Sequence, residues 1–329
     1  MREAVPPAGR GRLLAAALRR EVVFALAGML LVLVLGCIFN AEGVFFRAGT
    51  HADTLWQNGA FGILACGLTV VIISGGIDLS VGSVVALSGV VFAILVLRHE
   101  VSGAIAVPVA IAVGAMAGLV SGVLIAYVRV QPFIATLAMM AFARGLAKYI
   151  AAGQVITKYP YPALIEDLNS SLKIGGFKLS LHVGVFLVCA ALTLLFLWKT
   201  APGMQVYAVG DNEEAARYAG VPVRLTKVMA YTLCGAFAGL AGVLFCALER
   251  QGNPDGGVGY ELTAIAMVVV GGTPLSGGRG GIVLTVLGML TIGYLRKILD
   301  INAVDTAMQL MITGGIIVMA VLAQGLKRR

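Results

Sequence analysis

Long apolar stretches recur along the chain, and most of them contain no charged side chain. A helix that crosses the hydrocarbon core of a bilayer needs about 20 predominantly apolar residues. The pattern therefore predicts an all-α, polytopic membrane helix bundle with about ten transmembrane helices. The stretches predicted to span are 22–39, most of 54–77, 79–97, 101–128, 133–152, 181–198, 228–248, 262–278, 280–295 and 306–326.

Glycine pairs interrupt the apolar pattern at two places that resemble each other. Residues 75–82 read GGIDLSVG and residues 271–278 read GGTPLSGG, which agree at five of eight positions. Interrupted or short helices are therefore expected near 75–83 and 271–281. Six predicted spans separate the two copies, so both should face the same side of the membrane. Matching interruptions in a transporter point to the path of its substrate.

Polar residues within and beside these interruptions are the first candidates for a transport path. Asp78 or Ser80 is expected to cap the helix that follows, and an acidic residue between two spans is also a functional candidate by default. Arg144 lies deepest among the basic residues; it is expected either to snorkel with Lys148 or to line the path. The candidates for the path or its gate are Gly75, Gly76, Asp78, Ser80, Arg144, Gly271, Gly272 and Ser276.

Composition excludes a soluble protein. Hydrophobic residues make up 59% of the 329 positions and charged residues only 12%, against about 45–50% and about 25% in soluble chains. The net charge of +8 does not indicate nucleic-acid binding, because the basic residues are divided among short loops. The five cysteines lie in apolar stretches without metal-ligand spacing, so we predict neither a metal site nor a disulfide framework.

Basic residues set the expected orientation, because lysine and arginine are enriched in cytoplasmic loops. If the N-terminus is cytoplasmic, fourteen of the 24 basic residues lie inside, nine lie outside and Arg144 lies within a span. This bias favours both termini in the cytoplasm. Residues 1–21 then form a cytoplasmic basic tail, 199–227 a cytoplasmic loop and 153–180 a periplasmic loop.

No connection between spans is long enough to hold a soluble domain, so residues 1–329 are treated as one transmembrane domain. Any ATP hydrolysis or substrate capture by a folded domain must therefore come from partner proteins. No catalytic cluster is visible within the spans, so an enzyme is not predicted.

The cytoplasmic loop contains a short helix with an acidic start. Asp211 or Asn212 can cap it, Glu213 and Glu214 favour its first turn, and Gly220 ends it. This helix has nothing apolar beneath it in the sequence. Its residues alone leave open whether it is an ordinary surface helix or docks into a cytoplasmic partner.

Three segments together resemble the permease subunits of ribose-type ABC sugar importers, which belong to the branched-chain amino acid and sugar type of inner-membrane permease. These segments are GGIDLSVGS at 75–83, QPFIATL at 131–137 with Arg144-Gly145, and 259–278 with its GYEL start and LSGG end. The loop at 210–220 is similar to the coupling helix of that family. The resemblance runs from about residue 24 to residue 323.

The resemblance implies a transport subunit without a cofactor or catalytic residue of its own. ATP would be bound by a cytoplasmic ABC ATPase subunit, and a periplasmic sugar-binding protein would deliver the sugar. A second permease copy or a paralogue would complete the path in a bacterial inner membrane. Coupling to the ATPase would rest on Gly210, Asn212, Glu213, Ala215, Ala216 and Gly220.

Other functions remain open on the sequence alone. An ion-coupled secondary transporter of a small polar solute would need a relay of ionisable residues in the spans, and only Asp78 and Arg144 lie deep. A channel would not need a coupling loop, and a membrane-embedded enzyme would need a catalytic cluster. Among sugars a pentose such as ribose is the leading expectation, with other pentoses, deoxyhexoses, inositol and furanose sugars as alternatives.

Overall fold

A computed structural model describes residues 10–174 and 177–326, which form thirteen α-helices and one short β-hairpin. The helices are α1 Arg10–Ile38, α2 Ala48–Ile73, α3 Val81–Ala93, α4 Gly103–Ala126, α5 Pro132–Ile150, α6 Ala163–Leu168, α7 Leu181–Lys199, α8 Ala201–Asp211, α9 Glu213–Tyr218, α10 Val223–Glu249, α11 Tyr260–Gly271, α12 Ile282–Ile301 and α13 Thr306–Leu326.

Shorter elements complete the chain. A 3-10 turn covers Val44–Phe46, and one π-helical turn, Ile94–Arg98, extends α3. Strands β1, Ser171–Ile174, and β2, Phe177–Ser180, pair antiparallel. The all-α prediction is confirmed for the bundle, and the hairpin lies in the predicted loop 153–180, where no strand was expected.

In the described part of the chain, eight helices are long and apolar enough to cross a membrane. They are α1, α2, α3 with its π turn, α4, α5, α7, α10 and α12. The eighth predicted span, 262–278, is wrong as a full crossing, because α11 has only 12 residues and a length of about 18 Å. Helix α13 has the bounds of the tenth predicted span.

Both predicted interruptions are confirmed. Helix α2 ends at Ile73 and α3 begins only at Val81; α11 ends at Gly271 and α12 begins only at Ile282. Each helix is ended by a glycine in the left-handed region, Gly75 with φ +83° and Gly272 with φ +114°, where residues with a Cβ atom are disfavoured.

Helices α2 and α10 form the centre of the bundle. Most of α2 is buried, from Asn58 to Ile73 without interruption, and α10 packs against α2, α3 and α4. Helix α10 meets its neighbours largely through small buried side chains, which allow membrane helices to approach closely. These include Ala230, Cys234, Ala238 and Ala241.

The bundle has two ends, which we name by the elements they carry. The α9 end holds residues 74–80, 200–222 and 272–281, and the amide of Gly278 there donates to the carbonyl of Ile73 at 2.9 Å. The hairpin end holds α6, the β-hairpin and the turns after α1 and α12, where the Asn302 amide donates to the Phe39 carbonyl at 2.9 Å.

Candidate functional site

The two interruptions meet each other at the α9 end. A Cβ atom on Gly277 would lie 2.8 Å from the Cα of Gly75, and one on Gly278 would lie 2.7 Å from the Cα of Asp211. A Cβ atom on Gly210, the penultimate residue of α8, would lie 2.7 Å from the amide nitrogen of Gly278. We call Gly75, Gly210, Gly277 and Gly278 the glycine junction. Three chain segments touch there through main-chain atoms.

A second contact ties α8 to the same region. The hydroxyl of Tyr207 donates to the carbonyl of Gly280 at 3.1 Å. A tyrosine hydroxyl is protonated at neutral pH and can donate, and burial raises the pKa of Tyr207 further, to about 12.

The glycine junction borders a cavity of about 230 Å³. The hydroxyl of Tyr231, from α10, closes one wall by donating to the carbonyl of Ile77 at 3.3 Å. Six predicted residues line the cavity: Gly75, Gly76, Gly210, Asn212, Glu213 and Ser276. Gly271 and Gly272 instead end α11 against Leu284 of α12.

Asp78 is buried next to this cavity, and its role differs from the predicted one. Its Oδ1 accepts from the amide of Ser80 at 2.9 Å and from the Ser80 hydroxyl at 2.6 Å. No side chain caps the first turn of α3. The prediction that Asp78 or Ser80 caps this helix is therefore wrong, because the two side chains bond to each other and close the turn before it.

Residues 250–259 turn back into the bundle, which the sequence did not indicate. Gly252 pairs with Ile156 near the hairpin end, whereas a Cβ atom on Gly257 would collide with the carbonyl of Gly82 at the start of α3. Helix α11 consequently begins deep in the bundle. The N-termini of α3 and α11 thus meet inside the protein, and broken membrane helices commonly place a substrate site at such a point.

Arg144 holds this re-entrant segment in place. Its Nη1 donates to the carbonyls of Pro254 at 2.7 Å and Gly256 at 2.5 Å. Lys148, one turn further along α5, pairs with Asp255 at 2.6 Å. Both basic residues therefore bind one segment, and because Lys148 is half-exposed beside the exposed Asp255, its expected snorkelling stays a prediction.

Helix α9 is fixed to its surroundings by three contacts. The Asn212 side chain caps it by accepting from the Ala215 amide at 2.9 Å, and Glu213 pairs with Lys227 of α10 at 2.6 Å. Ala216 is buried against Val209 and Val223. The expectation that nothing apolar lies beneath this helix is wrong, because the ends of α8 and α10 supply an apolar seat.

The free face of α9 carries Ala215, which was expected to take part in coupling, together with residues that were not named for that role. Glu214, Ala215, Arg217 and Tyr218 are exposed, and Tyr218 is 83% exposed. Arg217 lies over the Tyr218 ring at 5.6 Å. Ala216 is buried and the residues on either side of it are exposed, so one narrow side of α9 faces the protein. The 3.6-residue period of a helix was the one signal in the sequence that could have identified the exposed residues. Gly220, with φ +81°, follows the end of α9.

Comparison with known proteins places the chain in a family. The family model described as branched-chain amino acid transport system / permease component matches residues 50–321. The chain belongs to this permease family. The match covers both interruptions, the re-entrant segment and α9.

Individual relatives of this permease are similar over nearly the whole chain. The ribose import permease protein RbsC of Escherichia coli K12 is 38% identical over 91% of the chain and 92% of its own length. RbsC of Bacillus subtilis 168 is 37% identical over 90% of both. The galactofuranose transporter permease protein YtfT of Escherichia coli K12 is 39% identical over 74% of this chain and 70% of its own. No solved structure matches the chain.

Proposed function

We propose that the chain is the membrane-spanning permease subunit of an ATP-driven sugar importer. The observation that carries this proposal is the 38% identity to a ribose import permease over 91% of the chain. The named relatives import ribose or galactofuranose, so a monosaccharide is the cargo, with a pentose such as ribose as the first choice. ATP is hydrolysed by a separate subunit.

The α9 end faces the cytoplasm in this proposal. With that orientation fourteen basic residues lie inside and nine outside, in keeping with the positive-inside rule. Both termini are then cytoplasmic, and the membrane is the bacterial inner membrane. The hairpin end faces the periplasm.

The exposed face of α9 is the docking surface for the ATPase subunit. Ala215 and Tyr218 project from a helix that is capped, paired to α10 and seated on an apolar cluster. Because α9 is held by these three contacts, it moves as a rigid body when a bound partner moves. The buried Ala216 belongs to the seat and does not itself meet the partner.

Motion of α9 reaches both interruptions directly. Asp211 and Gly210, which precede α9, contact Gly278 and lie beside the carbonyl of Ile73. A shift of the ATPase subunit would therefore alter the glycine junction and the cavity beside it. Packed elements of this kind switch between discrete arrangements instead of deforming continuously.

The hairpin end is the surface for the periplasmic binding protein. Its loops are braced by ion pairs, Lys158 with Glu100 and Arg250 with Glu166. The hydrogen bond from Lys158 lowers the pKa of Glu100. A second permease copy or a paralogue completes the path.

Uptake of radiolabelled sugar tests the proposal. The chain would be reconstituted in proteoliposomes with the ATPase and binding protein encoded beside it. We expect uptake of a monosaccharide that requires Mg-ATP and the binding protein and survives a proton uncoupler. Uptake that needs an ion gradient and no ATP would establish a secondary transporter and refute the proposal.

A further inference from the structure

A polar cavity lies at the hairpin side of the bundle, between α2, α12 and α13. Its volume is about 150 Å³, room for five or more water molecules at about 30 Å³ each. That is enough to accommodate the oxygen atoms of a pentose. The lining residues are Thr54, Gln57, Asn58, Phe61, Gly293, Arg296, Lys297, Asp300 and Gln309.

Two helices present largely polar faces to this cavity, and the exceptions are Phe61 on α2 and Gly293 on α12. On α2 the lining residues stand at positions 54, 57, 58 and 61, and on α12 at 293, 296, 297 and 300. Both sets follow the i, i+3, i+4, i+7 spacing of a single helix face. Polar faces are costly in a membrane helix unless they meet a partner or water. Facing each other, the two helices line one polar pocket.

Arg296 is the central charged group of the pocket. Its guanidinium lies over the ring of Phe61 at 5.4 Å, and Phe61 is in turn packed edge-on against Tyr260, the first residue of α11, at 4.7 Å. The guanidinium is planar in itself, and its fork of N–H groups can donate to two neighbouring oxygen atoms. Through the contact between Phe61 and Tyr260, the pocket lies next to the N-terminus of the short helix α11.

A carboxylate acceptor and side-chain amides complete the polar lining of the pocket. Asp300, one turn from Arg296, accepts from the Gln309 side chain at 2.7 Å. The Asn58 amide is oriented by donating to the Thr54 carbonyl at 2.8 Å. Gly293 leaves room beside it, since a Cβ atom there would lie 3.0 Å from the Asn58 amide.

The chemistry of this set matches a neutral polyol. A hydroxyl group both donates and accepts, and the pocket offers an acceptor-only carboxylate, a donor-only guanidinium and amides that do both. An anion would leave Asp300 facing like charge, and a cation would face Arg296 and Lys297. We propose that this pocket binds the transported sugar through a vicinal pair of hydroxyls, with Arg296 donating and Asp300 accepting. The proposal rests on the function proposed above and names its substrate subsite.

Protection of an engineered cysteine tests the site in the full-length chain. Gln57→Cys would be introduced into a Cys37→Ser background, because the other native cysteines are buried, and the protein would be held in lipid nanodiscs. Labelling by a membrane-impermeant thiol reagent is then timed with and without d-ribose. We expect labelling to slow about tenfold when the sugar stands at ten times its dissociation constant.

Matched variants assign the effect to the proposed residues. Arg296→Lys keeps the charge and loses the fork, and Asp300→Asn keeps the size and loses the charge; each should raise the half-protecting sugar concentration about tenfold. Tyr159→Cys, at an exposed position of the hairpin end, should label at a rate that sugar does not change. Size-exclusion profiles identify variants that fail to fold.

The outcomes separate this inference from the proposed function. Protection that persists in Arg296→Lys and Asp300→Asn, or protection by ribose 5-phosphate and gluconate but not by neutral sugars, overturns the site. Absence of protection in a chain that still supports ATP-driven sugar uptake also overturns the site and leaves the function standing. Absence of any ATP-driven sugar uptake overturns the function.

Discussion

At the scale of single residues, the glycine junction is formed by contacts between main-chain atoms. Gly210 and Gly278 bring α8 and the chain before α12 within main-chain contact. A side chain at either position would need space that the neighbouring backbone occupies. Glycine matters at these positions because it has no Cβ atom, which allows the three chain segments to touch.

Substitution of Gly210 by alanine tests this account. The added Cβ atom would lie against the Ile73 carbonyl and the Gly278 amide, and overpacking of this kind costs about 1–3 kcal/mol. We expect a lower thermal midpoint for the purified protein and loss of ATP-driven uptake. Gly184→Ala in α7 is the matched control, because nothing lies within 4 Å of its Cβ position. Equal stability of the two variants would contradict the close contact.

At the scale of elements, α9 combines a buried side with an exposed side over six residues. Ala216 packs inward on Val209 and Val223, and Ala215 points outward. Two neighbouring alanines in one short helix thus have different surroundings, one in the apolar seat and one on the surface proposed to dock the ATPase subunit.

Arginine at these two positions should give different defects. Ala215→Arg leaves the seat intact, so the permease should fold normally but fail to retain the ATPase subunit on affinity purification. Ala216→Arg places a charge in the apolar seat and should destabilise the permease itself by several kcal/mol. Thermal stability and ATPase retention are measured for both. Normal ATPase binding by Ala215→Arg would mean that another surface docks the partner.

The re-entrant segment 250–259 is held by Arg144 and Lys148 of α5 and by the main-chain pairing of Gly252 with Ile156. Arg144 donates to two of its carbonyls, and hydrogen bonds to charged groups contribute about 1.5–3 kcal/mol each. We expect Arg144→Gln to speed hydrogen exchange of the segment's amides about tenfold or more and to reduce uptake. Lys148→Gln removes only a half-exposed ion pair, which is worth about 0–1 kcal/mol. A similar effect of both variants would argue against a special role for Arg144.

At the scale of the whole molecule, the sequence predicted what depends on local pattern. Apolar length located the eight long apolar helices but also predicted a full crossing at 262–278, where α11 is short. Gly75 and Gly272 located the interruptions. The re-entrant segment was missed, because its residues read as a polar loop and its path depends on a contact between Gly257 and the distant Gly82. Asp78 was misassigned for a related reason. Whether its carboxylate caps α3 or accepts hydrogen bonds from Ser80 depends on the burial of the turn that precedes α3.

The orientation of the whole molecule is testable by cysteine labelling in intact cells. Tyr159 and Tyr218 are both exposed, at opposite ends of the bundle. In a Cys37→Ser background we expect Tyr159→Cys to react with an impermeant reagent from outside, and Tyr218→Cys to react only after the inner membrane is permeabilised. The reverse pattern would invert the proposed topology.

The main-chain construction of the glycine junction has a consequence for how such a transporter can diversify. Any substitution of its glycines adds side-chain atoms where the neighbouring backbone leaves no space. A point mutation can therefore abolish the proposed switching of the junction but can hardly adjust it. The polar pocket between α2 and α12 is lined by side chains, which mutation can exchange freely. On the two proposals made above, selection can therefore alter which cargo is carried without disturbing the junction that moves it.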